Sequence, residues 1–302
     1  MSNLLITGLS KSGTTLIMSL LDGHKDILMY PEEPFLRDVF RERFDNRKEM
    51  VEYLKSVNPI FRDKKIRYPE IEFDCFEYMA EFDKLQDEYS LDGLVENMFV
   101  SLPFEVLDGI SDGKMNEDYF RKKYYAFKDT NFFSLDKFFS NNYNNKALII
   151  QRDLRGNYNS TLKDNDKRRG TKNLLNYISF WKWADMYYTK AQKEFGGDRI
   201  LIINYEELVM YPQTVLRNIC DSSFLDIRFD YILLKPTCLG QEVKVNTATV
   251  DKKGVYKDSL YKWGGNLTVK EKIILWFFIK NPKLMEGMAL GRTAVKAIKN
   301  NR

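Results

Sequence analysis

Leu4-Leu5-Ile6-Thr7-Gly8-Leu9-Ser10-Lys11-Ser12-Gly13-Thr14-Thr15-Leu16 is a short apolar run, then a loop bracketed by two glycines, then the start of an amphipathic helix. That order makes a phosphate cradle. Glycine lets the backbone turn tightly against an anion, and the unpaired N–H groups of the first helical turn point toward it. Gly8 and Gly13 keep the G-x-x-x-x-G spacing of nucleoside-triphosphate loops. Thr14, however, occupies the position where that motif carries lysine, and the lysine is displaced into the loop at Lys11. The loop is therefore expected to bind phosphate differently, with Ser12, Gly13, Thr14 and Thr15 supplying donors and Lys11 a mobile cation.

Beside residues 4–7, three apolar runs read as strands of a buried parallel sheet: 27–29, 147–151 and 199–204. Helical patterns at 15–21, 171–195 and 211–221 follow or separate them. Alternating strands and helices predict right-handed crossovers and a sheet covered on both faces, hence a three-layer α/β fold of the P-loop type. Residues 36–127 differ in character, with Phe, Tyr, Glu and Lys at helical spacing and weak strand signals. They read as a mostly helical insertion over the C-terminal edge of the sheet. Residues 267–302 read as a C-terminal helical segment. There Thr268 and Glu271 have capping-box spacing ahead of the apolar cluster 273–279, which reads as a buried helix and is too short to span a bilayer. No linker, repeat or low-complexity tract interrupts the chain, so residues 1–302 are expected to form one domain.

Composition narrows the class. The 302 residues are 44% hydrophobic and 30% charged, an ordinary globular balance, and the net charge of +4 argues against bulk nucleic-acid binding. Cys75, Cys220 and Cys238 are scattered, with neither metal-site spacing nor a disulfide framework. The apolar run that begins by Leu4 goes straight into the glycine loop, so no secretory signal is expected ahead of it. A cytoplasmic, metal-independent protein is expected.

The second informative segment is Ala147-Leu148-Ile149-Ile150-Gln151-Arg152-Asp153-Leu154-Arg155-Gly156-Asn157-Tyr158-Asn159-Ser160. An apolar strand ends in Arg152, and Ser160 lies eight residues later on the expected next helix. Arginine offers a rigid fork of donors suited to phosphate, which a serine hydroxyl completes. Open α/β sheets bind ligands at their strand ends, so both anion sites fall on one edge.

Together the two segments resemble the sulfotransferase family. Its donor, 3′-phosphoadenosine 5′-phosphosulfate, carries a phosphosulfate at one end and a separate ribose phosphate, and so requires two anion sites. Lys11-Ser12-Gly13-Thr14-Thr15 is similar to the family's loop for the first. Arg152-Asp153-Leu154-Arg155 with Ser160 is similar to its site for the second. Residues 20–27 look like the family's L-L-x-x-H-P-D-I, with Lys25 in place of proline. Phe127-Lys128-Asp129-Thr130 is similar to its K-T-P segment, though without the proline. Asn204-Tyr205-Glu206-Glu207-Leu208-Val209 with Pro212 looks like Y-E-D-L-x-x-x-P. Residues 254–263, with Ser259 and Lys262, resemble the late loop that closes over the 3′-phosphate.

The resemblance implies sulfuryl transfer to a hydroxyl or amine acceptor, with carbohydrate preferred among glycan, lipid, small-molecule and peptide hydroxyls. It implies Lys11 as the cation at the leaving group. It places a carboxylate base at Glu32 or Glu33, between which sequence does not choose. Lys128 resembles a lysine near the transferring group in glycan-directed members. His24, the single histidine, falls at the end of the first helix and is read as packing. Lys163, Lys167, Arg168, Arg169 and Lys172 read as a solvated charge run, and Trp181, Trp183 and Tyr187 as core. Two other readings are a P-loop kinase, weakened by the missing lysine at Thr14 and the absence of a clear Mg²⁺ aspartate, and a non-catalytic nucleotide-binding module.

Overall fold

The computed structural model describes residues 2–41, 44, 46–68, 71, 73–84, 95, 98–99, 102, 122–164, 170–243 and 257–300. Its centre is a five-stranded, wholly parallel sheet of β1 (Ser2–Gly8), β2 (Ile27–Met29), β3 (Tyr124–Lys128), β4 (Lys146–Gln151) and β5 (Ile200–Asn204), in the spatial order β2-β3-β1-β4-β5. The register pairs Ile6 with Lys128, Gly8 with Ile150, and Gln151 with Asn204. All five C-terminal ends therefore reach one edge.

Alternation along the strands makes the three layers. Leu5, Ala147 and Ile149 face one core, which also holds Ala184 and Tyr188 of the long helix Thr171–Phe195. Leu4, Ile6, Leu148 and Ile150 face the opposite core, with Ile17, Leu20 and Leu21 of α1 (Thr14–Leu21) and Leu216 and Ile219 of helix Pro212–Asp221. Strands buried on both faces have no polar alternation, which is why they read as continuous apolar runs.

β3 was not among the expected strands. The helical insertion expected over residues 36–127 overlaps it, but Tyr124–Lys128 lies between β2 and β1, so the insertion ends before it. Its Tyr-Tyr-Ala-Phe-Lys run mixes polar and apolar groups and looks less like a buried strand than its burial warrants. Ahead of it the segment is helical where described: α2 (Leu36–Arg41), α3 (Arg47–Val57), α4 (Pro59–Asp63) and α5 (Cys75–Lys84). Asn46 caps α3 by accepting the Glu49 N–H, and Asn58 caps α4 by accepting the Ile60 N–H. The expected stripe at Leu94, Met98 and Val100 lies mostly outside the described residues.

At the C-terminal end the capping box forms as expected. Thr268 and Glu271 bond reciprocally at the start of helix Val269–Lys280, which is followed by helix Pro282–Asn300. The cluster 273–279 is only half buried, contrary to its reading as a buried helix. Leu275 and Phe278 pack against Leu154, Tyr158 and Ile178, while Ile273, Trp276 and Phe277 face outward. No helix among the described residues is long and apolar enough to cross a membrane.

Candidate active site

Every candidate residue before the late loop follows the C-terminal end of a strand or closes one. After β1 the chain turns through Gly8 at φ 150° and Lys11 at φ 69°, then enters α1 through Gly13 at φ 110°. Glycine is required twice. A Cβ on Gly8 would lie 2.3 Å from the Ile150 carbonyl oxygen, and one on Gly13 would lie 2.3 Å from the Tyr205 ring. The loop is tied at several points. Ser10 N–H donates to Asn131 Oδ1 at 3.1 Å, Asn157 Nδ2 donates to the Ser10 carbonyl at 3.3 Å, and Arg152 Nη1 donates to the Lys11 carbonyl at 3.0 Å.

That last bond joins the two expected anion sites. Arg152 also donates to Ser160 Oγ at 3.1 Å and to the Ser259 carbonyl at 3.2 Å, and its guanidinium lies 4.2 Å from the Tyr205 ring centroid. Tyr205 and Ser259 share a hydroxyl–hydroxyl bond of 2.8 Å. Arg152, Ser160, Ser259 and the loop thus form one cluster, while no hydrogen bond or ion pair among the described residues links Lys262 to it. Residues 254–256 of the late loop, Lys167, Arg168, Arg169 and the side chain of Lys163 lie outside the described residues. Lys172 is exposed, as expected of a surface charge.

Two buried donors near the loop are unpartnered among the described residues: Ser12 Oγ and Arg152 Nε. Both residues line one cavity, together with Leu9, Ile150, Asn157 and Tyr188. An orphaned buried hydroxyl costs about 1–3 kcal/mol, so a cradle that holds one open is suited to an anion that accepts from it. The loop, with its glycines and unfilled donor, fits a phosphate or phosphosulfate group.

A second network closes the edge over β2 and β3. Glu33 Oε1 accepts from Arg37 Nη1 at 2.8 Å, Thr130 N–H at 2.9 Å and Thr130 Oγ1 at 2.6 Å. Its other oxygen meets Lys128 Nζ at 2.9 Å. Burial would lift the Glu33 pKa, but the Lys128 charge and the Thr130 hydrogen bonds outweigh it and hold the carboxyl at about 2. Lys128, the last residue of β3, is 2% exposed. Asp129, paired with Arg37, is wholly buried, and burial lifts its carboxyl to about 7 against the pull of Arg37.

Glu32 is engaged differently. One oxygen, Oε1, accepts the Glu33 N–H at 2.9 Å and Arg67 Nη2 at 3.2 Å, and Arg67 Nη1 donates to Thr15 Oγ1 at 2.7 Å. Oε2 accepts no hydrogen bond among the described residues. Arg67 therefore bridges Thr15, in the first turn of α1, to a carboxylate. Neither Arg67 nor Tyr205 was read as a site residue from sequence. Arg37 carried one usable signal, its i+4 spacing from Glu33 across the start of α2.

His24 is buried and lies apart from this edge. Its Nε2 donates to the Arg228 carbonyl at 2.9 Å and its Nδ1 accepts the Asp26 N–H at 3.1 Å, so both ring nitrogens are committed to packing. The cysteines are free and buried, and the described residues contain no group of three or more His, Cys, Asp or Glu able to hold a metal.

A sequence model described as the sulfotransferase family matches residues 3–231, a span that includes the loop, both carboxylates and Arg152. Protein-tyrosine sulfotransferase A of Caenorhabditis elegans is 23% identical over 279 residues, covering 89% of this chain and 62% of that protein. The chain thus spans less than two thirds of that relative's length. Among solved structures, the sulfotransferase domain of the Synechococcus PCC 7002 olefin synthase superposes with a TM-score of 0.57 at 19% identity, covering 91% of this chain and 93% of that one. A sulfotransferase domain from the curacin biosynthetic pathway gives 0.55 at 15% identity, over 92% and 97% of the two chains. These two share the fold. With the family match spanning most of the chain, the protein belongs to the sulfotransferase family.

Proposed function

We propose that the protein transfers a sulfuryl group from 3′-phosphoadenosine 5′-phosphosulfate to an acceptor hydroxyl. The observation that carries this is the Arg152 guanidinium, which bonds the Lys11 carbonyl of the phosphate loop and Ser160 Oγ at once and so couples two anion sites on one sheet edge. A donor charged at both ends fits that pair, whereas a nucleoside triphosphate has no group for the second site.

Ser12, Gly13, Thr14, Thr15 and Lys11 would hold the phosphosulfate end, and Arg152, Ser160 and Ser259 the ribose phosphate. Lys262 is assigned to the nucleotide by resemblance alone. When bound, the donor supplies the sulfuryl group and leaves as the bisphosphate. Lys11 neutralises charge as it develops on the departing phosphate oxygen. The acceptor proton goes to a carboxylate, and the hydrogen bonds favour one of the two candidates. Both oxygens of Glu33 are engaged, Oε1 by Arg37 and Thr130 and Oε2 by Lys128, and these partners hold its carboxyl at about 2, so it is a poor base. Glu32 keeps Oε2 available and is held against Thr15 through Arg67, so we assign the base to Glu32 and positioning roles to Glu33, Lys128 and Arg67.

The acceptor is assigned by class, as a hydroxyl. Likeness to a protein-tyrosine sulfotransferase adds a tyrosine phenol to the carbohydrate hydroxyl preferred from sequence. Calorimetry with 3′-phosphoadenosine 5′-phosphate against ATP with Mg²⁺ tests the donor. Binding of the bisphosphate without metal is expected. Tight binding of ATP–Mg²⁺ with no response to the bisphosphate would return the kinase reading.

A further inference from the structure

Helix Val269–Lys280 is apolar on two sides. One side packs into the molecule through Leu275 and Phe278. The other carries Val269 (71% exposed), Ile273 (61%), Trp276 (61%) and Phe277 (46%), and Leu284 (46%), on the following helix, is exposed as well. Spacing of four, seven and eight residues from Val269 puts the first four side chains on one face. A helix apolar all round is one whose second side is also covered in use.

Charge identifies what covers it. Residues 269–302 contain eight Lys and Arg against two Glu, a surplus of +6 in a chain whose total is +4, so the other 268 residues sum to −2. Both glutamates are engaged elsewhere: Glu271 is buried in the capping box, and Glu286 pairs with Lys182 at 3.5 Å. Lys270, Lys280 and Lys283 are exposed around the apolar face. A second copy of the chain docked face to face would bring those lysines against their own counterparts, which like-charge repulsion opposes. An aromatic and aliphatic stripe edged by lysine matches a lipid surface, with Trp276 at headgroup level and the lysines on anionic phosphates.

We propose that helix Val269–Lys280 lies in the plane of an anionic membrane surface and docks the enzyme there peripherally. At about 18 Å for 12 residues the helix lies on the bilayer and cannot cross it.

Flotation of the full chain with vesicles of phosphatidylcholine alone, and of phosphatidylcholine mixed with phosphatidylserine, tests the proposal. The chain is expected to float with the mixed vesicles at low salt and to be released as salt rises. Each of Lys270→Gln, Lys280→Gln and Lys283→Gln is expected to lower partitioning about fivefold. Ile273→Gln with Trp276→Gln should abolish it while circular dichroism melts stay unchanged, since both side chains are exposed. Brominated lipid should quench the fluorescence of the wild type and not of Trp276→Phe. Sulfate transfer to a soluble acceptor should be unaffected by all of these variants. Two results would overturn the idea: no flotation with anionic vesicles, or a dimer by light scattering that Trp276→Gln converts to monomer, which would make a second copy the occupant.

Discussion

Lys128 Nζ and Glu33 Oε2 stand 2.9 Å apart, with side chains 2% and 11% exposed, at the point where β3 ends and the chain leaving β2 turns back over the sheet. Such a pair is a structural commitment, because neither charge can lose its partner without remaining buried. Glu33→Gln leaves Lys128 and Arg37 short of a carboxylate and is expected to cost about 3–5 kcal/mol, read as a lower urea midpoint. Replacing both partners with apolar residues, Glu33→Leu with Lys128→Met, should recover most of that loss. Equal stability of Glu33→Gln and wild type would show the pair to be dispensable.

Glu32→Gln separates chemistry from folding. The thermal midpoint should hold within a few degrees, because Glu32 accepts from Arg67 and from one backbone N–H and the amide oxygen of Gln can keep both. Turnover with a saturating acceptor should fall about 10²–10⁴-fold, the range of a lost general base. Full activity in this variant would move the base elsewhere.

Stability should depend on pH with opposite signs from two neighbouring carboxyls. Glu33, held at about 2 against an ordinary 4.5, stays ionised in the fold where the unfolded chain takes up a proton. Its contribution is complete above about pH 4.5 and is lost as pH falls toward 2, a span worth about 3 kcal/mol. Asp129, lifted from 3.8 to about 7, does the reverse, so stability declines as pH rises through that interval. Urea midpoints across pH for wild type, Glu33→Gln and Asp129→Asn should therefore show two different trends. The Glu33→Gln gap should close on the acid side, and the Asp129→Asn gap should shrink from about pH 4 to about pH 7. Gaps constant with pH would contradict both assignments.

Donor affinity should centre on Arg152. Arg152→Ala is expected to weaken 3′-phosphoadenosine 5′-phosphate binding by about 10²-fold, and Ser160→Ala by about tenfold, measured by calorimetry. Arg152→Lys should rescue little, since an ammonium cannot bond Lys11, Ser160 and Ser259 together while stacking on Tyr205. Unchanged affinity in Arg152→Ala would mean that Arg152 does not hold the second phosphate.

Gly13→Ala tests the cradle itself. Both the left-handed φ of 110° and the Tyr205 ring 2.3 Å from the new methyl oppose it, so a loss on the order of 2 kcal/mol in stability is expected together with loss of bisphosphate binding. Binding retained at wild-type strength would mean that the loop is not the anion site.

What the chain declares locally is legible in its sequence. The glycine spacing, the displaced lysine and the arginine at a strand end are local features, because the turn and the helix start that cradle an anion are built from consecutive residues. From them followed a parallel α/β core and, by resemblance, membership of the sulfotransferase family, while the two anion sites on one edge are proposed from the same residues. Tertiary structure decided what depends on residues distant in sequence. Tyr124–Lys128 became a central strand because the apolar neighbours β1 and β2 flank it, whatever its own mixed pattern. Glu32 and Glu33 were indistinguishable as adjacent carboxylates until folding brought Lys128 and Thr130 to one and Arg67 to the other. The cluster 273–279 read as buried because hydrophobicity alone does not say which side of a helix finds a partner. Packing against Leu154, Tyr158 and Ile178 covered one side and left Trp276 facing outward.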